Sequence, residues 1–131
     1  MKGCPRALLS TPFLLLTYNS NMIIDFNNIK EQALQNFKGG NGELDTRNYV
    51  DDKCKIMLSH LKPGANSGYH KHEGNCEIVY IISGQGYFNY DGNTERVKAG
   101  DTHYCPINHS HAMYNDGTED LVYLAIVPEH H

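Results

Sequence analysis

A chain of 131 residues with a formal net charge of −4 is long enough to bury one core without disulfide or metal staples, and nothing in its charge points to nucleic acid. Its 11 lysines and arginines are scattered and form no basic run, which argues against a phosphate-backbone partner. A hydrophobic content of 40% and a charged content of 20% suit a soluble domain, and no apolar run is long enough to span a bilayer, so no membrane partner is expected.

The chain opens MKGCPRALLSTPFLLLTYNS, with Lys2 and Arg6 ahead of an apolar stretch over residues 7–16, the layout of a signal peptide. Pro12 interrupts that stretch and no A-x-A-like cleavage site follows. Two other readings stand beside it: Met22 is the functional start and residues 1–21 are an extension, or residues 13–17 add a strand to this chain or to a partner. The expected organisation is an N-terminal extension over 1–21 and a single domain over 22–131. Cys4, Cys54, Cys76 and Cys105 lie far apart without a C-x-x-C pair, as expected for reduced, mostly buried thiols in a cytoplasmic protein.

Residues 28–37 predict a short helix: Ile29, Ala33, Leu34 and Phe37 share a face, Asn28 and Glu31 have capping-box spacing, and Gly39-Gly40 ends the run. Beyond Asn41 the pattern changes to short apolar or alternating runs, with strands expected at 53–61, 68–72, 77–83, 86–90, 95–98, 103–106, 111–115 and 121–127. YDGN at 90–93 carries Asp91-Gly92, a hairpin dipeptide whose two turn positions need positive φ. SGQG at 83–86, KAGD at 98–101 and NDGT at 115–118 are further turns. Many short strands at this spacing imply an all-β sandwich or small barrel, not a βαβ sheet.

The stretch YHKHEGNCEIVYIISGQG, residues 69–86, holds the chemistry. His70 and His72, one residue apart on an extended chain, point the same way. Glu77 opens the following strand after the turn EGN, and His111 starts another strand after CPINHS. Three imidazoles and one carboxylate make a mixed N and O set suited to one divalent transition metal: Mn, Fe, Ni, Co or Zn. No cysteine shares their parity, which argues against a closed thiolate zinc site. Four protein ligands on an octahedral ion leave two positions open for substrate or dioxygen.

Gly64, His70, His72, Glu77 and Gly84 match the pattern G(x)5HxH(x)3–4E(x)6G, and Gly100, Pro106, His111 and Asn115 match G(x)5PxG(x)2H(x)3N. These are the two motifs of the cupins, which the chain resembles over residues 64–115. Asn108 stands where the second motif has its inner glycine, and asparagine also tolerates a left-handed turn. FKGGNGEL at 37–44 and the segment 61–86 are similar to small single-domain cupins described as oxalate-decarboxylase-like. The resemblance implies a double-stranded β-helix, or jelly-roll, barrel with the metal inside it, His70, His72, Glu77 and His111 as its ligands, and a homodimer.

Strand parity places Val79 and Ile81 on the side of Glu77 and Met113 on that of His111; with Met57 and Tyr123 they are the expected lining of a largely apolar pocket. His109, in a turn two residues before His111, is a candidate hydrogen-bond donor behind the metal ligands or an acid/base at the pocket mouth, and Glu77 a candidate that alternates between ligand and base. His60 and His103 match no motif position and read as structural. The favoured function is a metalloenzyme acting on a small oxygenated organic molecule, by dioxygenase, decarboxylase or Lewis-acid chemistry. The alternative is a non-enzymatic module that binds or senses a small ligand. Oxalate decarboxylation itself is disfavoured: Arg47 and Arg96 fall where loops or hairpins are expected, and the apolar pocket supplies no second carboxylate. A sugar isomerase would need a phosphate clamp, and the sequence has no Arg/Lys cluster or Gly-rich loop for one.

Overall fold

The computed structural model describes residues 22–130. Ten strands run through them: β1 (Gln32–Gln35), β2 (Glu43–Val50), β3 (Cys54–Leu61), β4 (His70–Lys71), β5 (Glu77–Ser83), β6 (Gln85–Tyr90), β7 (Asn93–Lys98), β8 (Thr102–Cys105), β9 (Ser110–Tyr114) and β10 (Leu121–Pro128). A six-stranded sheet in the order β1-β2-β3-β10-β5-β8 faces a four-stranded sheet in the order β4-β9-β6-β7. This is the expected all-β jelly-roll barrel. Among the described residues no helix is long and apolar enough to cross a membrane.

The strands follow from side-chain alternation. In β10, Leu121, Tyr123, Ala125 and Val127 are buried while the residues between them are half-buried, so one face meets the core and the other meets the outside. The core joins both sheets, through Leu44, Leu61, Val79, Ile81 and Tyr123 from one and Phe88, Val97 and Met113 from the other. Asp91 (φ 49°) and Gly92 (φ 87°) form the two-residue turn between β6 and β7, as the sequence predicts. Asn108 adopts φ 71°, so the motif's left-handed position survives without its glycine. Gly84 is more demanding. Its φ is +86°, and a Cβ there would lie 2.4 Å from the Asp120 carbonyl oxygen.

The helix predicted over 28–37 does not form. A 3-10 turn at Phe26–Asn28, capped by the Asp25 carboxylate, precedes edge strand β1, which pairs with β2 from Gln32↔Thr46 to Gln35↔Glu43. A second 3-10 turn, Phe37–Gly39, follows Asn36 in the left-handed region. Ten residues are too few to hold a helix by propensity alone, and the open edge of β2 offers the backbone a ladder. The Arg47 guanidinium then accounts for the carbonyls of Phe26 and Ile29, to which it donates.

Candidate metal centre

Strand register brings the predicted ligands together. His70 on β4 lies directly opposite His111 on β9 in the four-stranded sheet. His72, just past β4, is fixed by backbone bonds from its N–H to the His109 carbonyl (2.9 Å) and from the Asn108 N–H to its own carbonyl (2.6 Å). Glu77 enters from the other sheet as the first residue of β5, opposite Cys105 of β8. Potential ligand atoms of His70, His72, Glu77 and His111 all lie within 4.8 Å of one another.

Each imidazole is held by its outer nitrogen. His70 Nδ1 donates to the Gly68 carbonyl (2.7 Å) and His72 Nδ1 to Asn75 Oδ1 (2.6 Å), while His111 Nδ1 meets His103 Nε2 at 3.0 Å. A ring that donates through Nδ1 keeps a lone pair at Nε2. Those inner atoms converge: His72 Nε2 to Glu77 Oε1 is 3.0 Å, His111 Nε2 to Glu77 Oε1 is 2.9 Å, and the two Nε2 atoms are 3.1 Å apart. Ligands about 2.1 Å from a metal at right angles to one another would be about 3.0 Å apart, so these separations fit adjacent positions around a transition-metal ion. Two lone pairs and a carboxylate also repel at this range unless a cation or proton lies among them. The donor set fits the group.

The electrostatics agree. Burial would raise the Glu77 carboxyl, but hydrogen bonds from His111 and His72 outweigh it and hold the group at about 2. Burial pulls His70 down to about 4, leaving it neutral at ordinary pH. Burial acts the same way on His72, yet its bonds to Glu77 and Asn75 prevail and its pKa is raised. Without metal, a proton on His72 is thus the natural counterion of Glu77.

The site opens into a cavity of about 300 Å³. Met57, Met113 and Tyr123 line it, whereas Val79 and Ile81 are fully buried in the core and are not among its lining residues. The two face inward with Glu77, but each two-residue step along a strand moves about 6.6 Å from it. The wall is also more polar than predicted, because β2, absent from the sequence reading, contributes Thr46 and Asn48. Thr46 and Tyr123 both stand opposite Ser59 in the ladders of β3, and the Thr46 and Ser59 hydroxyls are 2.8 Å apart, giving a hydroxyl row across three strands. Lys38, Lys55, Lys71 and Glu73 complete the charged part of the lining, and Glu73 is a second carboxylate that the sequence reading did not anticipate.

His109 does not line this cavity. Its ring is nearly half exposed and bonds the Asp91 carboxylate and the Tyr90 hydroxyl on the outer side of the β6–β7 turn, so the predicted acid/base role has no geometric support. Arg47 lies on β2 holding the preceding segment, and Arg96 on β7 pairs with Asp116; neither lines the cavity. His60 pairs with Asp120 near the surface. His103 is the residue whose importance the motifs did not reveal: it is buried, stacks on Phe88 with ring centroids 3.8 Å apart, and links His111 to Glu95. Its signal in the sequence is its shared parity with Cys105 on β8, which makes both inward-facing.

The family model of the cupin domain matches residues 57–127. The chain belongs to the cupin family. An oxalate-binding protein of Thermotoga maritima is 32% identical to this cupin over 114 residues, covering 82% of this chain and 94% of that protein. A Thermotoga maritima crystal structure described as a predicted oxalate decarboxylase superposes with a TM-score of 0.78 at 32% identity, covering 82% of this cupin and 99% of that chain. The oxalate decarboxylase OxdC of Bacillus subtilis is 37% identical over 93 residues, 66% of this chain, yet this cupin spans only 24% of that enzyme's length.

Proposed function

We propose that this cupin holds one divalent transition metal (Mn, Fe, Ni, Co or Zn) on His70, His72, Glu77 and His111, binds a small organic acid there, and acts on it as a metalloenzyme. The observation that carries the reading is the convergence of four ligand atoms in a cavity also lined by Lys38, Lys55 and Lys71. The bound metal would supply Lewis acidity toward a chelated carboxylate or enolate oxygen. The lysines draw an anion toward the opening. The Thr46, Ser59 and Tyr123 row can hydrogen-bond a second oxygen of the ligand on the far wall. Glu77, ionised at neutral pH and held at about 2, is a weak base, so its part is to supply the negative charge of the ligand set. The Thermotoga relative's name makes oxalate the first ligand to test.

Elemental mass spectrometry on wild type and His111→Ala, followed by calorimetric titration with oxalate and with 2-hydroxy and 2-oxo acids, tests the reading. The expected result is about one metal per chain, lost in the variant, with acid binding that requires the metal. A wild type that takes up no metal on reconstitution, or equal acid binding without it, would overturn the reading. Acid binding without product formation would favour the binding or sensing module instead. That alternative draws support from the arginines standing outside the cavity.

A homodimer is part of the same proposal. Tyr80 (47% exposed), Ile82 (44%) and Tyr104 (54%) all stand on the outer face of β5 and β8, with Tyr104 opposite Ile78 and diagonal to Tyr80, an apolar surface suited to a second copy. Light scattering after size exclusion that gives a single-chain mass would remove it.

A further inference from the structure

Glu95 occupies an unusual place for a carboxylate. It stands opposite Phe88 in the β6–β7 ladder, and Phe88 is 1% exposed, so both side chains leave the sheet on its inner face. Val97, two residues on and of the same parity, is a core residue. Although the Glu95 side chain is 46% exposed, its carboxylate reaches back to a buried partner, His103, whose Nδ1 lies 3.1 Å from Glu95 Oε1. His103 is itself 4% exposed, and its Nε2 lies 3.0 Å from Nδ1 of His111.

This chain of contacts has one consistent proton assignment. A carboxylate can only accept, so Nδ1 of neutral His103 carries the hydrogen and its Nε2 presents a lone pair. That lone pair accepts from Nδ1 of His111, which leaves Nε2 of His111 unprotonated and facing Glu77 and His72. The opposite assignment would aim a His103 lone pair at the Glu95 carboxylate and place a proton on the nitrogen of His111 that faces the ligand cluster. Phe88, stacked on His103, fixes the plane in which the relay operates.

We infer that Glu95 and His103 are positioning residues for His111: the carboxylate selects the tautomer of His103, and His103 selects that of His111 and strengthens it as a metal ligand. The inference rests on the metal reading above, but it concerns residues outside the ligand set. Glu95 thereby influences the metal centre from the barrel wall, with its side chain 46% exposed on the other side of His103.

The test uses Co²⁺ as the probe, with affinity from chelator competition and the cobalt absorption spectrum recorded for each protein. His103→Leu leaves the His111 N–H without an acceptor and should weaken binding by about 10- to 100-fold. His103→Gln, whose amide oxygen can accept that hydrogen, should recover part of the loss. Glu95→Ala should weaken binding at least about threefold, less than His103→Leu because the carboxylate is partly in water, and should shift the cobalt bands, whereas Glu95→Gln, whose amide oxygen can still accept from His103, should recover part of the loss. Glu95 variants keep the test decisive should His103→Leu not fold. Co²⁺ affinity and spectrum in Glu95→Ala indistinguishable from wild type would overturn the relay alone. A wild type that binds no Co²⁺ would overturn the metal reading and the relay with it.

Discussion

Acid should strip the metal in a characteristic order. A metal at this site needs His72 and His70 unprotonated, and the two differ in how strongly they resist a proton. The pKa of His72 is raised above the ordinary histidine value of 6.5 because its bonds to Glu77 and Asn75 outweigh burial, so protons begin to compete at a pH above 6.5. Burial lowers His70 to about 4, so it joins the competition only near there. One competing proton weakens apparent affinity tenfold per pH unit, about 1.36 kcal/mol. Between pH 6.5 and 4.5 the loss through His72 alone is therefore about 50- to 100-fold, about 2.3–2.7 kcal/mol, and the slope should steepen below pH 4 as a second proton enters. Competition titrations with Zn²⁺ in a pH series measure this directly, and calorimetry in buffers of different ionisation enthalpy should register proton release near pH 6. Affinity constant from pH 7 to pH 5 would refute the assignment of His72 as a ligand.

Further expectations concern the scaffold. Gly84→Ala adds a left-handed strain of about 1–2 kcal/mol and a steric conflict of about 1–3 kcal/mol with the Asp120 carbonyl, so it should destabilise by roughly twice as much as Gly74→Ala, which has a similar φ but open space around it; urea unfolding compares them. Burial pushes the Cys105 thiol up to about 12, and a short iodoacetamide pulse at pH 8 followed by peptide mapping should leave it unmodified; rapid labelling would contradict its placement in the core. The metal-free fold should lose stability as pH falls from 6.5 to 4, where the unfolded chain takes up a proton that His70 refuses. A second loss should follow between 4.5 and 2, where Glu77 gives up its paired, ionised state, and a flat acid-unfolding profile over both windows would contradict the buried environments of these two groups.

Much of this was legible because strand parity and spacing are local. His70 and His72 share a face on any extended chain, and the Asp91-Gly92 turn and the alternation in β10 announce themselves in a few residues. What escaped depends on long-range pairing. β2 reads ELDTRNYV, and its inward Thr46 and Asn48 face a cavity instead of core, so the apolar signal of a strand is missing. β1 exists only because β2 offers it an edge. His109 was read from its closeness to His111 in the chain, but it precedes β9 and its ring bonds Asp91 and Tyr90 instead of lining the cavity. His103 was passed over because the motifs do not include it, although its parity with Cys105 marked it as inward-facing.

The ligands come from different walls of the barrel: His70 and His111 belong to the four-stranded sheet and Glu77 to the six-stranded one. An ion bound by all of them would act as a rivet between two layers that are otherwise joined mainly by side-chain packing. Because the unfolded chain cannot assemble that arrangement, occupancy and folding become a single equilibrium, and free metal at a hundred times its dissociation constant would add about 2.7 kcal/mol to the stability of the fold. A melting curve would then serve as a metal assay: ranking divalent ions by the rise in melting temperature they produce would order their affinities for this barrel before any substrate is known.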